Sequence, residues 1–444
     1  MKKKTINETL KEHFAIDERV SRYVDKIEAQ VAALTREIDE LGQLHQYRVI
    51  AAMQKHKLSE RHFAVATGYG YDDVGREAVE SIFADVFGAE DALVRPHISS
   101  GTHAISLALY GVLRPGDELL AISGLPYDTI QTVIGLNEKS QGQGTLKEFG
   151  INYQQIDLNE AGKFDEKAIL SGINDKTRMI YIQRSTGYGW RQAISLDEME
   201  VIIKKIRMKK KDLIIFVDNC YGEFLDVNEP VSVGADLMAG SLIKNPGGGL
   251  APTGGYLAGR KDLIHLAACR LAAPGVARET GATLGINRTI LQGLFLAPTV
   301  VAQALKSAVL VAAAYKNLGY PVCPDTNSYR SDIIQSIKLG SPEAVKVFCR
   351  AIQEAAPVDS FLTPEPWDMP GYADPVIMAA GAFIQGSSIE LSADAPMREP
   401  YIVYFQGGLT HAHGKLGLML SLSRLLDEKI IEIKGEENDN QRND

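Results

Sequence analysis

The sequence is poor in cysteine, and the few cysteines it has lie far apart. Four occur in 444 residues, with no Cys-x-x-Cys pair and no clustering. This pattern argues against a disulfide framework and against a zinc finger, and it fits a protein kept in a reducing cytoplasm. The four residues are Cys220, Cys269, Cys323 and Cys349.

The chain also lacks an excess of positive charge. Its formal net charge is -9 and its isoelectric point is near 5.6, so nucleic acid and anionic membranes are not expected as partners. The N-terminal lysines precede no apolar stretch, so we expect no secretory signal and a cytoplasmic location. The longest apolar segment, residues 290–315, is interrupted by polar residues and a proline and is predicted to be a buried helix, not a membrane span.

What remains is an ordinary globular composition, 45% hydrophobic and 23% charged, in a chain long enough for more than one domain. Apolar residues recur every three or four positions near the start, which predicts a helical arm over residues 1–65. An arm packed on its own subunit or on a neighbour is favoured over a coiled coil. We expect a large domain over 66–316, a smaller C-terminal α+β domain over 317–430 and a disordered tail over 431–444.

Short runs rich in β-branched residues, separated by helical patterns, indicate the fold class. Several are apolar on both alternating faces, which predicts an α/β fold with a mostly parallel sheet covered on both sides. Ligands of such sheets bind beyond the carboxyl ends of the strands, so polar residues that end the runs are candidates for chemistry. The runs are residues 118–123, 178–185, 213–219 and 236–243, and the polar residues are Ser123, Arg184, Asp218 and Lys244.

Lys244 is the most informative of these residues. It ends the apolar run in GSLIKNPGGGLAPTGGY, where an uncompensated lysine would cost on the order of several kcal/mol. A bond to the aldehyde of pyridoxal phosphate would compensate it, and the Asp218 carboxylate would keep the pyridine nitrogen protonated. Taken singly, such residues more often cap a turn or reach solvent. The glycines after Lys244 are expected to let the backbone pass close to the cofactor.

A second motif offers a place for the phosphate group. HISSGTHAISLALYGVL, residues 97–113, is typical of a tight turn followed by a helix, and helix starts with small hydroxyls bind phosphate. Ser-Gly-Thr before a helix is also an ordinary N-cap. Tyr127, after the run 118–123, could stack on a planar cofactor or fill a gap as a loop aromatic. The phosphate candidates are Ser100, Gly101, Thr102 and Ser241.

The order of these motifs resembles the fold-type I pyridoxal phosphate enzymes, which have an aspartate aminotransferase-like large domain. FVDNCYGEF and GSLIKNPGGGLAPTGGY are most similar to the aluminium-resistance protein family of the cysteine and methionine metabolism group, relatives of cystathionine β-lyase and methionine γ-lyase. The resemblance, over residues 66–425, implies that Lys244 is the Schiff-base lysine, Asp218 the pyridine partner and Tyr127 the stacking ring. It also implies pyridoxal 5'-phosphate as cofactor and a homodimer or homotetramer with the active site at the subunit interface.

The sequence departs from the better-known lyases around the phosphate. Ile243 stands where they carry a threonine, and the segment 67–80 has no arginine where they lend one across the dimer. Tyr69 or Tyr71 is predicted to fill the role of the lent tyrosine. Arg184 is expected to replace the missing arginine from the same subunit, with a surface position after the strand as the competing interpretation.

The activity that the resemblance implies is a carbon–sulfur lyase that converts a sulfur-containing amino acid into a keto acid, ammonia and a thiol. γ-Replacement, transamination and a cofactor-binding protein with little catalysis, acting in metal-stress tolerance, stay open. Arg398 is the candidate for the substrate α-carboxylate, with a solvated loop position as the alternative. No metal site is expected, because His411 and His413, on a possible strand, have no further ligand residues nearby. GYGYDDVG lacks the spacing of a dinucleotide-binding loop.

Overall fold

The computed structural model describes residues 5–137, 140–369 and 374–433. Its helices are α1 (Ile6–Phe14), α2 (Glu18–Gln30), α3 (Ala32–Lys55), α4 (Val74–Phe87), α5 (Gly101–Val112), α6 (Asp128–Ile134), α7 (Glu166–Gly172), α8 (Leu196–Lys209), α9 (Lys261–Leu271), α10 (Asn287–Asn317), α11 (Pro342–Ala355) and α12 (His411–Asp427). Its strands are β1 (Asp91–Arg95), β2 (Glu118–Ala121), β3 (Asn152–Gln155), β4 (Thr177–Gln183), β5 (Ile214–Asp218), β6 (Leu237–Ser241), β7 (Gly255–Gly259), β8 (Val322–Cys323), β9 (Gln335–Lys338), β10 (Val376–Ala379), β11 (Ser392–Pro396) and β12 (Ile402–Gln406).

The larger sheet has the strand order β1-β7-β6-β5-β4-β2-β3. Strands β2 to β6 run parallel to one another, whereas β7 is antiparallel to both β1 and β6. Both faces are covered, since along β5 Ile215 and Val217 belong to one apolar cluster and Ile214 and Phe216 to another. The predicted α/β fold with a mostly parallel sheet is confirmed, and the four predicted runs overlap β2, β4, β5 and β6.

A smaller sheet follows in the C-terminal part of the chain, in the order β10-β11-β12-β9-β8, with each pair of neighbours antiparallel. Helices α11 and α12 pack against each other, and α11 also contacts β10, β11 and β12. Helix α10 joins the two halves, because Leu294 belongs to the core of the larger sheet and Tyr315 to that of the smaller one. The domain boundaries at residues 65 and 316 therefore stay predictions.

The N-terminal helices pack on the same chain. Val20, Val24 and Ile27 of α2 are buried in the core of the smaller domain. The Tyr23 hydroxyl donates a 2.6 Å hydrogen bond to the carbonyl of Ala314 in α10. The apolar spacing of this region thus serves packing of α2 and α3 on α10 and α12.

Helix α10 is long and apolar enough to cross a membrane by length and composition alone. Yet 72% of its most apolar 18-residue stretch is buried inside the protein. Its neighbours within the chain supply the apolar surroundings that a membrane would otherwise provide. The segment is a core helix, as predicted.

Two expectations for the C-terminal part of the chain are wrong. Ile431 and Ile433, expected in a disordered tail, are buried in the core of the smaller domain; the rest of that tail, 434–444, lies outside the described residues. His411 and His413 begin helix α12 instead of lying on a strand, because Thr410 caps that helix.

Candidate active site

A cavity of about 240 Å³ lies at the carboxyl ends of the parallel strands. Gln183 of β4, Asp218 of β5 and Ser241 of β6 line it, and each of them is the last residue of its strand. The N-terminus of α5 reaches the cavity from one side, and β11 and β12 of the smaller domain close another. The cavity brings together the predicted residues Ser100, Gly101, Thr102, Tyr127, Asp218, Ser241 and Lys244.

Lys244 lies just beyond β6, in the loop that leads into a short 3-10 helix at Asn245–Gly247. Its Nζ lies 4.0 Å from the centroid of the Tyr221 ring. Within the described part of the chain, this amine makes no hydrogen bond and no ion pair. Burial opposes the charged form, but the acidic groups of Cys220, Tyr221 and Asp218 together raise the pKa of the Lys244 amine above its ordinary value. The protein therefore encloses an ammonium that contacts an aromatic face.

Asp218 is positioned by the end of β5, where the apolar run IIFV holds the strand in the sheet. Its carboxylate accepts hydrogen bonds from the backbone N–H of Cys220, at 3.1 Å, and from the Tyr181 hydroxyl, at 3.3 Å. Burial raises the pKa of Asp218, and Lys244 is the largest influence that opposes this rise. A cationic N–H placed against this carboxylate would stabilise its ionised form.

The start of α5 presents backbone N–H groups to the cavity. Ser100 caps the helix by accepting a 3.1 Å hydrogen bond from the N–H of His103. The Thr102 hydroxyl lies 2.8 Å from that of Thr129. Gly101 leaves little room for a side chain, since an added Cβ would lie 3.1 Å from the Cys220 Sγ and 3.4 Å from the Ser241 Cβ. This end of the cavity is suited to a phosphate, because the first helical turn carries N–H groups without helical partners.

Tyr127 lies on the wall between the larger sheet and α6. Its backbone N–H donates a 2.7 Å hydrogen bond to Oε1 of Gln183, which fixes the ring at the cavity. The ring centroid lies 6.0 Å from that of Tyr188, with 52° between the planes. Tyr188 in turn lies 5.1 Å from Tyr404. The three tyrosines form an aromatic wall that links the two domains.

Several cavity residues were not predicted from the sequence. Tyr221 carries a positive φ of 71°, a conformation that non-glycine residues rarely adopt and that is often held at functional sites. Its position three residues after Asp218 could have drawn attention to it. Further lining residues that the sequence did not single out include Tyr188, Ile334, Asp394, Tyr404 and Gln406.

The glycines after Lys244 serve a different purpose from the one expected. They do not line the cavity. A Cβ on Gly247 would lie 1.7 Å from the carbonyl oxygen of Leu242, and a Cβ on Gly293 of α10 would lie 2.2 Å from the carbonyl oxygen of Gly247. The glycines therefore allow the loop backbone to pack directly on α10, which fixes the loop that carries the lysine.

Arg184 is a correction to the sequence prediction, because it does not line the cavity. Its side chain is 0% exposed and forms an ion pair with Asp226, at 2.6 Å. One terminal nitrogen also donates to the Asn219 side chain, at 2.9 Å, and to the Gly222 carbonyl, at 2.7 Å. Arg184, Asn219, Gly222 and Asp226 belong to a buried layer of polar groups next to β5. A guanidinium held in this layer is a structural cation, not a phosphate ligand and not a surface residue.

The remaining predicted residues lie outside the cavity of this chain. Tyr69 and Tyr71 are 73% and 62% exposed, and their rings lie 5.5 Å apart on the surface. Arg398 also does not line the cavity; it is partly exposed and pairs with Asp374 at 2.8 Å. Burial raises the pKa of the Asp128 carboxyl, next to Tyr127, and Arg398 lies close enough to oppose this rise.

Glu223 belongs to the buried layer that also holds Arg184. It is 0% exposed, and its carboxyl accepts a 2.7 Å hydrogen bond from the Tyr256 hydroxyl. Burial raises the pKa of Glu223 to about 8, whereas an unfolded glutamate titrates near 4.3. Between these values only the unfolded state has released the proton, so this group makes the free energy of unfolding fall as the pH rises.

The stability of the Glu223→Gln variant relative to the native chain is therefore expected to increase as the pH rises. Relative to the native chain, its free energy of unfolding should gain more than about 1.4 kcal/mol between pH 5 and pH 8, because glutamine does not titrate. Urea unfolding at several pH values measures this difference. Glu160→Gln, at an exposed loop position, is the control; equal pH profiles for Glu223→Gln and the native chain would contradict the prediction.

The lysine, the buried aspartate and the open helix start, all at the carboxyl edge of a parallel sheet, define a class of protein: the pyridoxal phosphate-dependent enzymes of fold type I. Comparison with known families agrees with this assignment. The methionine gamma-lyase family matches residues 20–426, and the chain belongs to this family.

Two relatives of known structure and one further relative show which members of this family the chain is similar to. A putative cystathionine beta-lyase involved in aluminum resistance from Clostridium acetobutylicum is 45% identical, with a TM-score of 0.91 and 94% of this chain and 98% of that one covered. A carbon-sulfur lyase involved in aluminum resistance from Clostridium novyi NT is 48% identical with the same TM-score of 0.91 and the same coverage, 94% and 98%. Uncharacterized protein YnbB of Bacillus subtilis is 50% identical over 406 residues, 91% of this chain and 96% of the relative. The resemblance to the aluminium-resistance lyases is thus confirmed.

The cofactor of this family is pyridoxal 5'-phosphate, and the cavity fits it. The amine of Lys244, unpaired within the described residues, is available to the cofactor aldehyde. Asp218 can accept from the pyridine N–H, and the α5 start around Gly101 can hold the phosphate. Among the described residues, no arginine lines the cavity, so this chain offers the phosphate neutral donors and the positive end of a helix.

Proposed function

We propose that the protein is a carbon–sulfur lyase that eliminates a thiol from a sulfur-containing amino acid. The observation that carries the proposal is the unpaired amine of Lys244 in the same cavity as the buried Asp218 carboxylate. An amine and a carboxylate in these positions match the two protein groups that elimination on pyridoxal phosphate requires. Membership of the methionine gamma-lyase family supports carbon–sulfur chemistry.

The cavity residues that the sequence predicted have these roles in the proposal. The bound cofactor supplies an electron sink for the negative charge that develops on the substrate α-carbon. Lys244 would hold the cofactor and would act as the general base for the α-proton of the substrate. Asp218 would accept a hydrogen bond from the pyridine N–H and favour the cationic ring, and Tyr127 would stack on the ring. Gly101, Thr102 and Ser241, with Ser100 as the helix cap, would hold the phosphate.

Loss of the sulfur completes the reaction. The bond between sulfur and the β- or γ-carbon breaks, the thiol leaves with a proton, and water converts the remainder to a keto acid and ammonia. Lys244 carries the α-proton in this proposal, because its amine is freed at the substrate α-carbon, whereas Asp218 would be engaged with the cofactor ring.

We also propose that the site is completed by a second subunit. Tyr69 and Tyr71 are exposed and adjacent on one surface, as expected of side chains lent across an interface. A homodimer, or a tetramer of two dimers, would bring one of them to the partner's cavity. Arg398 remains the candidate for the substrate α-carboxylate from this chain, at a position close to Asp128 outside the cavity.

The reaction products test the proposal. Purified protein supplied with pyridoxal phosphate is expected to release thiol, keto acid and ammonia in equal amounts from at least one of cysteine, cystathionine, homocysteine and methionine. The same protein reduced with borohydride, which fixes the cofactor to the lysine, serves as the inactive control. Thiol release without keto acid and ammonia, or an amino-acid product other than the released thiol, would indicate replacement or transamination. A coloured protein that converts none of the four would contradict the proposed elimination.

A further inference from the structure

Tyr221 lines the cavity, and the proposed elimination gives it no role. Its ring lies against Lys244, with Nζ of the lysine 4.0 Å from the ring centroid. At this distance the negative face of an aromatic ring attracts a cation. The Lys244 amine makes no hydrogen bond or ion pair among the described residues, so the contact that the structure gives its charge is the ring face.

The ring of Tyr221 is fixed by the two loops that follow β5 and β6. The Asn245 side chain, in a residue that is 0% exposed, donates 3.1 Å hydrogen bonds to the carbonyls of Tyr221 and Glu223. Asn245 follows Lys244 directly in the chain, so these bonds tie the loop of the lysine to that of the tyrosine. Tyr221 keeps its positive φ of 71° because its surroundings hold it there. It also packs against an apolar cluster of the smaller domain, formed by Ile334, Ile402 and Tyr404.

The amine meets a neutral ring. Burial raises the pKa of the Tyr221 phenol above its ordinary value near 10, so the phenol keeps its proton at neutral pH. Four other acidic groups act on the amine, from β5, from the loop after it and from β11: Asp218, Cys220, Glu223 and Asp394. Burial raises the pKa of each, and Lys244 opposes all four rises. Among the described residues, none of the four pairs with the amine.

On the basis of the role that the proposed function gives to Lys244, we propose that Tyr221 is a positioning residue that binds the protonated nitrogen of Lys244 on its ring face. The ring holds the ammonium inside the cavity before the cofactor binds. After attachment, Nζ is the imine nitrogen, and the same face favours its protonated form. The phenol hydroxyl has no part in this role.

The spectrum of the protein loaded with pyridoxal phosphate reports the proton on Nζ, because the protonated imine absorbs in the visible and the neutral imine in the near ultraviolet. Tyr221→Leu is expected to lower the pH of this conversion by about 0.5–1.5 units, since loss of the ring destabilises only the cationic form. Tyr221→Phe keeps the ring face and should titrate like the native protein. Tyr110→Leu is the control, because it removes a ring that faces Arg270 at 5.2 Å outside the cavity.

A second set of variants keeps the shape of the ring. Phenylalanine that carries an increasing number of fluorine atoms, incorporated at position 221, weakens the negative face while leaving the side chain nearly the same size. The pH of the conversion should fall with each added fluorine. This series tests the proposal even where Tyr221→Leu does not fold.

Two results would overturn the proposal: a conversion pH that is the same in the native protein, Tyr221→Leu and the fluorinated series, or a Tyr221→Phe that titrates like Tyr221→Leu, which would assign the effect to the hydroxyl. The titration requires no turnover, so a shift without thiol release from any substrate supports the role of Tyr221 and contradicts only the elimination. If the native protein forms no imine at Lys244, both proposals fail.

Discussion

Lys244→Ala is expected to lower thiol release by about 10³-fold or more, because it removes both the attachment point of the cofactor and the general base. Borohydride reduces the imine of the native protein to a secondary amine, which removes the visible absorbance but keeps the cofactor attached through gel filtration; the variant should retain no attached cofactor. Activity is measured by thiol release, and attachment by the mass of the reduced protein. Lys261→Ala, at an exposed position at the start of α9, is the control and should retain colour and activity.

The fold of the Lys244→Ala variant should remain intact. The Lys244 amine forms no hydrogen bond or ion pair within the described residues, so its removal breaks none, and Asp218 can respond to the lost charge by binding a proton, because burial already raises its pKa. Thermal unfolding without added cofactor should therefore be close to that of the native protein. Cofactor that stays covalently attached to the variant after borohydride reduction would place the attachment on another lysine and would contradict the assignment.

Arg184→Ala is expected to have the largest effect on stability, a loss of about 3–5 kcal/mol in the free energy of unfolding. The guanidinium is 0% exposed, pairs with Asp226 at 2.6 Å and lies 3.7 Å from Glu229. Truncation leaves both carboxyl groups without their cation, together with the Asn219 side chain to which Arg184 donates. Burial already raises the pKa of Glu229 to about 6 with the arginine present, so its loss would raise it further.

Arg398→Ala is the matched control, since the Arg398 side chain is 53% exposed and makes an ion pair with Asp374. Exposed pairs of this kind contribute about 0–1 kcal/mol. Urea unfolding of the two variants beside the native chain gives the comparison. If Arg184→Ala unfolded like the native chain but bound pyridoxal phosphate much more weakly, Arg184 would be a phosphate ligand after all.

The residues that the sequence predicted best are those whose positions follow from local structure. Asp218 and Ser241 end apolar runs that form parallel strands, and Lys244 follows the second of these runs within a few residues. The carboxyl ends of parallel strands meet at one edge of the sheet, so strand order alone brings such residues together. Gly101 begins a helix at the same edge because Ser100 is a good N-cap.

Residues whose roles depend on distant contacts could not be predicted in this way. Arg184 also ends a strand, yet its side chain turns to Asp226 in the buried layer, and nothing near it in the sequence indicates this partner. The glycines after Lys244 were expected to face the cofactor, but they pack on Gly293 of α10. Both errors have the same cause: the chemistry of the residue was interpreted correctly and its partner was not known.

By itself, the sequence determined the α/β fold, the cofactor class and the lysine, aspartate and helix start that meet at the edge of the sheet, because strand periodicity and strand ends are local properties of the chain. Only the tertiary structure decided that Asp394 and the aromatic wall of Tyr188 and Tyr404 close the cavity, since β11 and β12 reach the cavity only when the smaller domain packs beside the larger sheet. The side of the cavity opposite the larger sheet is therefore a property of the assembled domains.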